Sequence, residues 1–411
     1  MRKLFVIFIF ILPVNIFAQI YTAPNFFTPY IDSAPSITSR SAVLIDAHTG
    51  TLLFSKNPDD EIPPASLTKL MTMHLLMNAI DEGRASYDEL VPITVESWAQ
   101  SQPPRSSLMF LEPGQTVTLR EIMLGLCISS GNDAAVAAAL RLAPTMKDFA
   151  EMMTQEARSM GLSVTRFTES SGISGLNMTT AYEYAIFVRN YVKLHPHSLK
   201  EFHSVLSFTF PLAANMPPAR RYNMVTYTQE NQNSLLRTFP GVDGLKTGYI
   251  IESGYNIALT ALRNDTRFIL IILGAPNVTA GPRIRAEDGT NLLNWAFDNF
   301  KTVRPDKSRA REICVDAAQL WKGKANTVSL ELINEIDFTA PVNRAESLKY
   351  EVVIPGYLTA PLPKGYAAGY LLISDEEGEL FRTPLVTAAA YEKGNFFKRL
   401  WHSIVLFFKK L

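Results

Sequence analysis

Ser66 and Lys69 stand three residues apart in Pro63-Pro64-Ala65-Ser66-Leu67-Thr68-Lys69, directly ahead of an apolar run from Leu70 to Ile80. Prolines before such a run predict the first turn of a buried helix, since proline pre-sets the helical φ and lacks only a donor that the first turn leaves orphaned. Residues three apart then share a face, within reach of a hydrogen bond. A serine hydroxyl attacks only when a base removes its proton. A lysine amine is such a base only when it is neutral part of the time, and burial and a second cation both lower its pKa. The pair therefore predicts another positive charge in the same cleft. Lys246, in Val242-Asp243-Gly244-Leu245-Lys246-Thr247-Gly248, is the candidate. Thr247 supplies a hydroxyl, and Gly248 leaves a strand edge open to an extended substrate. Ser130-Gly131-Asn132, on a turn between helical segments, adds a hydroxyl able to relay a proton and an amide able to hold a peptide group.

The elements that must position these groups follow from local pattern. Residues 19–40 are rich in Pro, Ser and Thr without a sustained period and read as a surface leader. Ser41–Asp46 and Thr51–Phe54 flank His48-Thr49-Gly50 and predict a hairpin, with the Ser66 helix close behind. Thr118–Ile128, Asp133–Leu142, Met146–Met160 and Thr180–Leu194 read as helices, with Asn132 or Asp133 able to cap the second. Val242–Gly248, Tyr255–Leu262 and Arg267–Leu273 read as consecutive antiparallel strands, the last two joined by an Asn264-Asp265 turn. Ala286–Phe300 returns to helix. The expected catalytic unit, 41–300, is an α/β arrangement of an antiparallel sheet with a block of helices. A charged stretch with Pro305, 301–311, reads as a linker. Short Val, Leu, Ile and Tyr runs between Gly and Pro turns predict a small all-β domain over 312–391.

Composition narrows the classes. The chain has 411 residues, 47% of them hydrophobic, enough for one large core and a second smaller one. Its formal charge is balanced, but Arg2, Lys3, Lys398, Arg399, Lys409 and Lys410 lie at the ends. The body between them is mildly acidic and offers no basic face for nucleic acid. Residues 1–18, with a charged start, an apolar stretch from Leu4 to Val14 and Ala18 at a small-residue position, have the layout of a secretory signal. The competing reading is an uncleaved anchor, and either predicts export. Cys127 and Cys314 read as buried thiols, since a chain of this size needs no staple. The terminal segment 394–411 projects Phe396, Phe397, Leu400, Trp401, Ile404, Phe407, Phe408 and Leu411 into one arc with basic residues opposite, blurred only by Val405 and Leu406. That pattern predicts a helix lying in a bilayer interface, against the alternative of docking on the protein's own core. The six histidines are scattered. His74 reads as a satisfied core residue and His195-Pro196-His197 as a helix end, so no metal and no cofactor are expected. Leu245 stands where a phosphate loop needs glycine, and no Gly-x-Ser-x-Gly elbow or His-Glu-x-x-His helix occurs.

Taken together, Ser66-x-x-Lys69, Ser130-Gly131-Asn132 and Lys246-Thr247-Gly248 resemble the trio of β-lactamases and penicillin-binding proteins, with Gly in place of the usual middle Asp. The flanking residues, Pro64 to Thr72, Gly125 to Ala135 and Val242 to Gly248, are similar to low-molecular-mass penicillin-binding proteins of the 5/6-like branch, which are serine-type D-alanyl-D-alanine carboxypeptidases. That branch carries a β-rich second domain and a carboxyl-terminal amphipathic anchor near a Gly-Asn-Phe-Phe, here Gly394 to Phe397. The resemblance implies that Ser66 attacks the penultimate D-alanine of a peptidoglycan stem and that Lys69 takes its proton. It implies that Ser130 passes a proton to the leaving amine and that Asn132 orients the peptide. It further implies that Lys246 and Thr247, with Arg285, receive the terminal carboxylate, while the N–H groups of Ser66 and Tyr249 form an oxyanion hole beside Gly248. β-Lactams are the implied inhibitors.

Two positions depart from the family pattern. Tyr249-Ile250 follows the Lys-Thr-Gly, which predicts altered specificity with activity kept. Glu169 stands in Phe167-Thr168-Glu169-Ser170-Ser171-Gly172-Ile173 where Asn is usual, which leaves that loop's role open. A β-lactamase shares the acylation half but needs a deacylating Glu in register with Leu-Asn, and Leu176-Asn177 puts Ile173 there. A DD-endopeptidase acting on the same bonds and a non-catalytic cell-wall scaffold of the same fold also compete with the carboxypeptidase reading; the intact trio speaks against the scaffold.

Overall fold

The structure, a computed structural model, describes residues 19–24 and 27–409. The segment read as a secretory signal, 1–18, lies outside them. The chain forms two compact units, one of Ile31–Trp295 with the residues up to Asn25, the other of Phe26–Tyr30 and Ala296–Leu411.

The strands of the first unit are β1 (Tyr21–Thr22), β2 (Ser41–Asp46), β3 (Thr51–Lys56), β4 (Ser207–Phe210), β5 (Tyr227–Glu230), β6 (Val242–Ile250), β7 (Gly254–Arg263) and β8 (Thr266–Ala275). Six of them make one sheet in the order β1-β3-β2-β8-β7-β6, while β4 and β5 form a separate hairpin. The predicted β2–β3 hairpin is present, with the Asp46 carboxylate accepting the backbone N–H groups of His48 and Thr49 across its turn. Asn264 and Asp265 both lie at positive φ, 46° and 61°. A two-residue hairpin needs that conformation to match the right-handed twist of its strands. β2 is buried at every position, as expected for a strand covered on both faces.

Helices Lys69–Asp81, Asn132–Leu142, Met146–Ser159 and Ala181–Leu194 pack into the same apolar core. Thr145 and Thr180 cap the last two by accepting the N–H groups of Asp148 and Glu183. The first is buried on nearly every side and so lies within the core. His74, on that helix, is fully enclosed, with Nδ1 against His195 Nε2 and Nε2 against Glu156 Oε1, both at 2.9 Å. It is a satisfied core histidine, and His195 ends its helix as expected.

Three expectations need correction. The α-helix begins at Lys69, so Ser66 lies on a 3-10 turn, Ala65–Thr68, ahead of it. The stretch read as one helix over 118–128 is α-helical only over Leu119–Leu124, then widens into a π-helical turn over Gly125–Ser129 that stops at Ser130. The charged stretch 301–311 is not a linker. Phe300–Val303 pairs antiparallel with Phe338–Pro341, and Lys307–Glu312 is a helix capped by Asp306. Its charges face outward while Val303 and Ala310 are buried, and composition alone cannot separate such a face from a solvated connector. The 19–40 segment also contributes β1, which pairs in parallel with β3. Adding a strand to an existing edge needs backbone groups rather than a hydrophobic period.

The second unit carries a four-stranded antiparallel sheet in the order Leu330–Leu332, Glu379–Thr387, Ala367–Ser374, Lys349–Val353. Val328, Leu371, Ile373 and Leu385 form its core. Cys127 and Cys314 are buried, unpaired thiols.

Candidate active site

Ser66 is held by a turn that its own sequence does not favour. Ala65 sits at φ 51°, a left-handed conformation that costs an L-residue roughly 1–2 kcal/mol. Such a conformation persists where surrounding contacts over-determine it. Here Tyr184 Oη donates to Leu67 O at 2.5 Å and Asn177 Nδ2 to Thr68 Oγ1 at 3.2 Å. β6, at the end of the sheet, packs against the turn. A Cβ at Gly248 would meet Pro64 O at 2.9 Å and Ser66 N at 3.0 Å, so only glycine allows this approach.

Lys69 is 1% exposed and its amine has three partners: Ser171 O at 2.6 Å, Asn132 Oδ1 at 2.8 Å and Ser66 Oγ at 3.1 Å. A neutral amine has two hydrogens and one lone pair. The two shorter contacts are to pure acceptors and use both hydrogens, which aims the lone pair at the Ser66 hydroxyl. Burial, then the Lys246 charge, lowers the Lys69 pKa to about 7, against the opposing pull of Glu169 and Asp133. The expected second cation is thus in place, with burial the larger influence.

Lys246 Nζ donates to Ser130 Oγ at 2.9 Å and to Thr247 O at 3.1 Å. Burial, offset by Cys127 and reinforced by Arg285, brings its pKa down to about 8. Ser130 is itself at φ 55°, the second non-glycine residue in left-handed conformation beside the cleft. Arg285 projects from the Gly281–Asn299 helix and donates from Nη1 to Asn256 O at 3.1 Å. Its Nε is buried without a partner among the described residues, and burial lowers its pKa to about 10. Thr247 is buried. Tyr249 is half-exposed, stacks on Tyr255 at 4.4 Å and donates to Asn277 Oδ1 at 2.9 Å.

Three supporting roles were not legible in the sequence. Asn132 grips Lys69 and also donates from Nδ2 to Ser106 Oγ at 3.1 Å, so it braces the base as well as facing the cleft. Asp133 does not cap its helix; its buried carboxylate accepts the N–H groups of Met109, Leu111 and Ala134 and ties the 109–111 segment to the Ser130 turn. Burial pushes that carboxyl up despite its backbone donors. Glu169 organises its own loop by accepting from Ser171 N, Ser171 Oγ, Gly172 N and Asn177 Nδ2. A polar or acidic residue beside a helix start or a Ser-Ser-Gly turn is the only signal for these roles, and many surface turns share it.

In the second unit the Phe396–Lys409 helix leaves Phe396, Phe397, Leu400, Trp401, Ile404, Phe407 and Phe408 exposed and buries Leu406 alone. Its opposite face is docked: His402 Nδ1 accepts from Lys322 N at 2.8 Å, and Lys398 Nζ donates to Asn326 Oδ1 at 2.9 Å. Among the described residues no helix is long and apolar enough to cross a membrane.

A family model described as D-alanyl-D-alanine carboxypeptidase matches residues 28–277, which include every residue of the Ser66 and Lys246 clusters except Arg285. The chain belongs to the D-alanyl-D-alanine carboxypeptidase family. A second model, the C-terminal domain of penicillin-binding protein 5, matches residues 307–393 of this carboxypeptidase. D-alanyl-D-alanine carboxypeptidase DacC of Escherichia coli K12 is 31% identical to it over 91% of this chain and 90% of its own. The crystal structure of penicillin-binding protein 5 from Haemophilus influenzae superposes with a TM-score of 0.73 at 27% identity, over 88% of this chain and 99% of that one. Penicillin-binding protein D2 of Listeria monocytogenes, solved in an ampicillin-bound form, covers 64% of this chain and all of its own at TM-score 0.54 and 27% identity. The fold is therefore the penicillin-binding, transpeptidase-like one with an all-β second domain, and the enzyme is a serine hydrolase of the carboxypeptidase kind.

Proposed function

We propose that this enzyme removes the terminal D-alanine from peptidoglycan stem peptides through an ester on Ser66. The single observation that carries the reading is the grip on Lys69, whose two acceptors leave its lone pair facing Ser66 Oγ at 3.1 Å. Lys69 takes the hydroxyl proton as the Ser66 oxygen bonds to the penultimate D-alanine carbonyl carbon. The peptide C–N bond then breaks, and Ser130, hydrogen-bonded to Lys246, relays the proton taken up by Lys69 to the departing amine, which returns Lys69 to its neutral form. Water hydrolyses the ester in the second half-reaction. The N–H groups of Ser66 and Tyr249 hold the developing oxyanion, a contribution of ~3 kcal/mol per donor. The approach of Gly248 to Ser66 N supports that pairing. Thr247, Lys246 and Arg285 receive the terminal carboxylate, and the open edge of β6 receives the stem peptide.

The pH dependence follows from the two lysines. Lys69 acts when neutral, so the rate rises with pH through about 7. Lys246 acts when cationic, so the rate falls as pH passes about 8. D-Alanine release from a pentapeptide, followed from pH 5 to 10, is expected to trace this narrow bell. Ser66→Ala is expected to abolish release at every pH; equal release from both proteins would refute the assignment.

A β-lactam places its strained carbonyl where the D-alanyl carbonyl goes, as the ampicillin-bound Listeria relative illustrates. The enzyme is read as exported and held at the outer face of the cytoplasmic membrane by its terminal helix. That helix docks through His402 and Lys398 and turns its aromatic arc outward, as an interfacial helix does. Truncation after residue 393 is expected to release the protein from anionic phospholipid vesicles in a flotation assay while leaving D-alanine release intact. Unchanged flotation would remove the anchor role.

A further inference from the structure

Glu169 is the acceptor around which its own loop folds. Its Oε2 accepts from Ser171 N and Ser171 Oγ, both at 2.6 Å, and its Oε1 from Gly172 N at 2.7 Å and Asn177 Nδ2 at 2.9 Å. The loop is thus wound around one carboxylate. With Ser174 N at 3.4 Å from Oε1, five donors converge on it, which only an acceptor with two free oxygens can satisfy. Two features of the wound loop reach the nucleophile. The Ser171 carbonyl accepts from Lys69 Nζ at 2.6 Å, the shortest of the lysine's contacts. Gly172, at φ 81°, lies against the Ala65 carbonyl and Ser66 N. Ser170 and Asn177 extend the brace: Ser170 O accepts from Thr72 Oγ1, and Asn177 Nδ2 donates to Thr68 Oγ1.

We propose that Glu169 is a positioning residue for acylation: by winding residues 169–177 around its carboxylate it aims the Ser171 carbonyl that orients Lys69, and it sets the charge balance around that amine. The proposal rests on Lys69 being the base of Ser66. Three charged groups act on Lys69 from the elements packed against it: Lys246 on β6, Asp133 on the Asn132–Leu142 helix and Glu169 in this loop. Glu169 is the larger of the two opposing the fall in its pKa, so loss of its charge carries the base to lower pH. Its oxygens are occupied by loop donors, so it does not activate the hydrolytic water.

The test is the acylation rate of the full chain by a chromogenic cephalosporin across pH, for wild type, Glu169→Gln and Glu169→Asp. In Glu169→Gln an amide N–H₂ faces two donors, so acylation is expected to slow about 10- to 100-fold, the usual cost of a misplaced catalytic group. The rising limb of its pH profile is expected to move to lower pH. Glu169→Asp keeps the charge but loses the reach, so its rate is expected to fall with the limb unmoved. A merely structural role would lower the folded fraction, read by burst amplitude, without moving the limb. Wild-type rates in Glu169→Gln, or equal limb shifts in both variants, would overturn the proposal. If Glu169→Gln does not fold, Glu169→Asp alone decides, and a wild-type rate there overturns it. The base assignment fails separately, through a Lys69→Ala protein that acylates at the wild-type rate.

Discussion

Replacing Lys69 with alanine is expected to slow acylation of Ser66 by about 10²- to 10⁴-fold, the usual contribution of a general base. The amine is enclosed, and it makes the only hydrogen bond to Ser66 Oγ among the described residues. Lys69→Arg separates two explanations. Arginine stays charged at every accessible pH and cannot act as a base, yet it keeps the positive field. If Lys69 removes the Ser66 proton, both variants lose activity. Should the arginine variant retain most of the rate, the lysine would act through its charge alone. The measurement is single-turnover acylation at a pH between the two values of about 7 and about 8, where wild-type Lys69 is largely neutral and Lys246 largely cationic.

A second large effect is expected from a single methyl group. Gly172→Ala puts a Cβ onto the Ala65 carbonyl at a residue whose φ is 81°. The left-handed conformation alone costs roughly 1–2 kcal/mol. The overlap is with backbone, so the loop must withdraw from the nucleophile turn and take the Ser171 carbonyl with it. Expected results are a lower melting temperature and acylation slowed by about 10²-fold. Gly175→Ala is the control in the same loop, since its Cβ would meet only the flexible Glu252 side chain, at 3.4 Å. It should behave as wild type. Equal behaviour of the two variants would show that the loop does not press on the nucleophile.

The boundary between what the sequence makes legible and what only the fold shows has a physical origin. Apolar period and turn chemistry are local, so the β2–β3 hairpin, the Asn264-Asp265 turn and the outward aromatic arc of the terminal helix were all readable. The chemical pairing of Ser66 with Lys69 and the need for Lys246 were readable because reactivity restricts residue type. Backbone strain was not. Alanine at 65 and serine at 130 adopt left-handed conformations that their side chains do not advertise, and both are imposed by packing from distant segments. The grip of Asn132 on Lys69 joins residues 63 apart in sequence, that of Ser171 residues 102 apart. Such contacts carry no period. Glu169 and Asp133 were visible as acidic residues near turns, but most of their partners are backbone N–H groups, which every residue except proline possesses. The misread linker at 301–311 has the same cause: charge marks one face of a segment and says nothing of the other.

The central claim is that Ser66, activated by Lys69, forms a covalent ester with its substrate. It is tested most directly by intact-mass spectrometry of the protein after brief exposure to benzylpenicillin, followed by peptide mapping. The expected result is one adduct of the full penicillin mass, confined to the peptide containing Ser66, slow to disappear and absent from Ser66→Ala. An adduct that persists in Ser66→Ala, or no adduct on a folded wild-type enzyme, would contradict it.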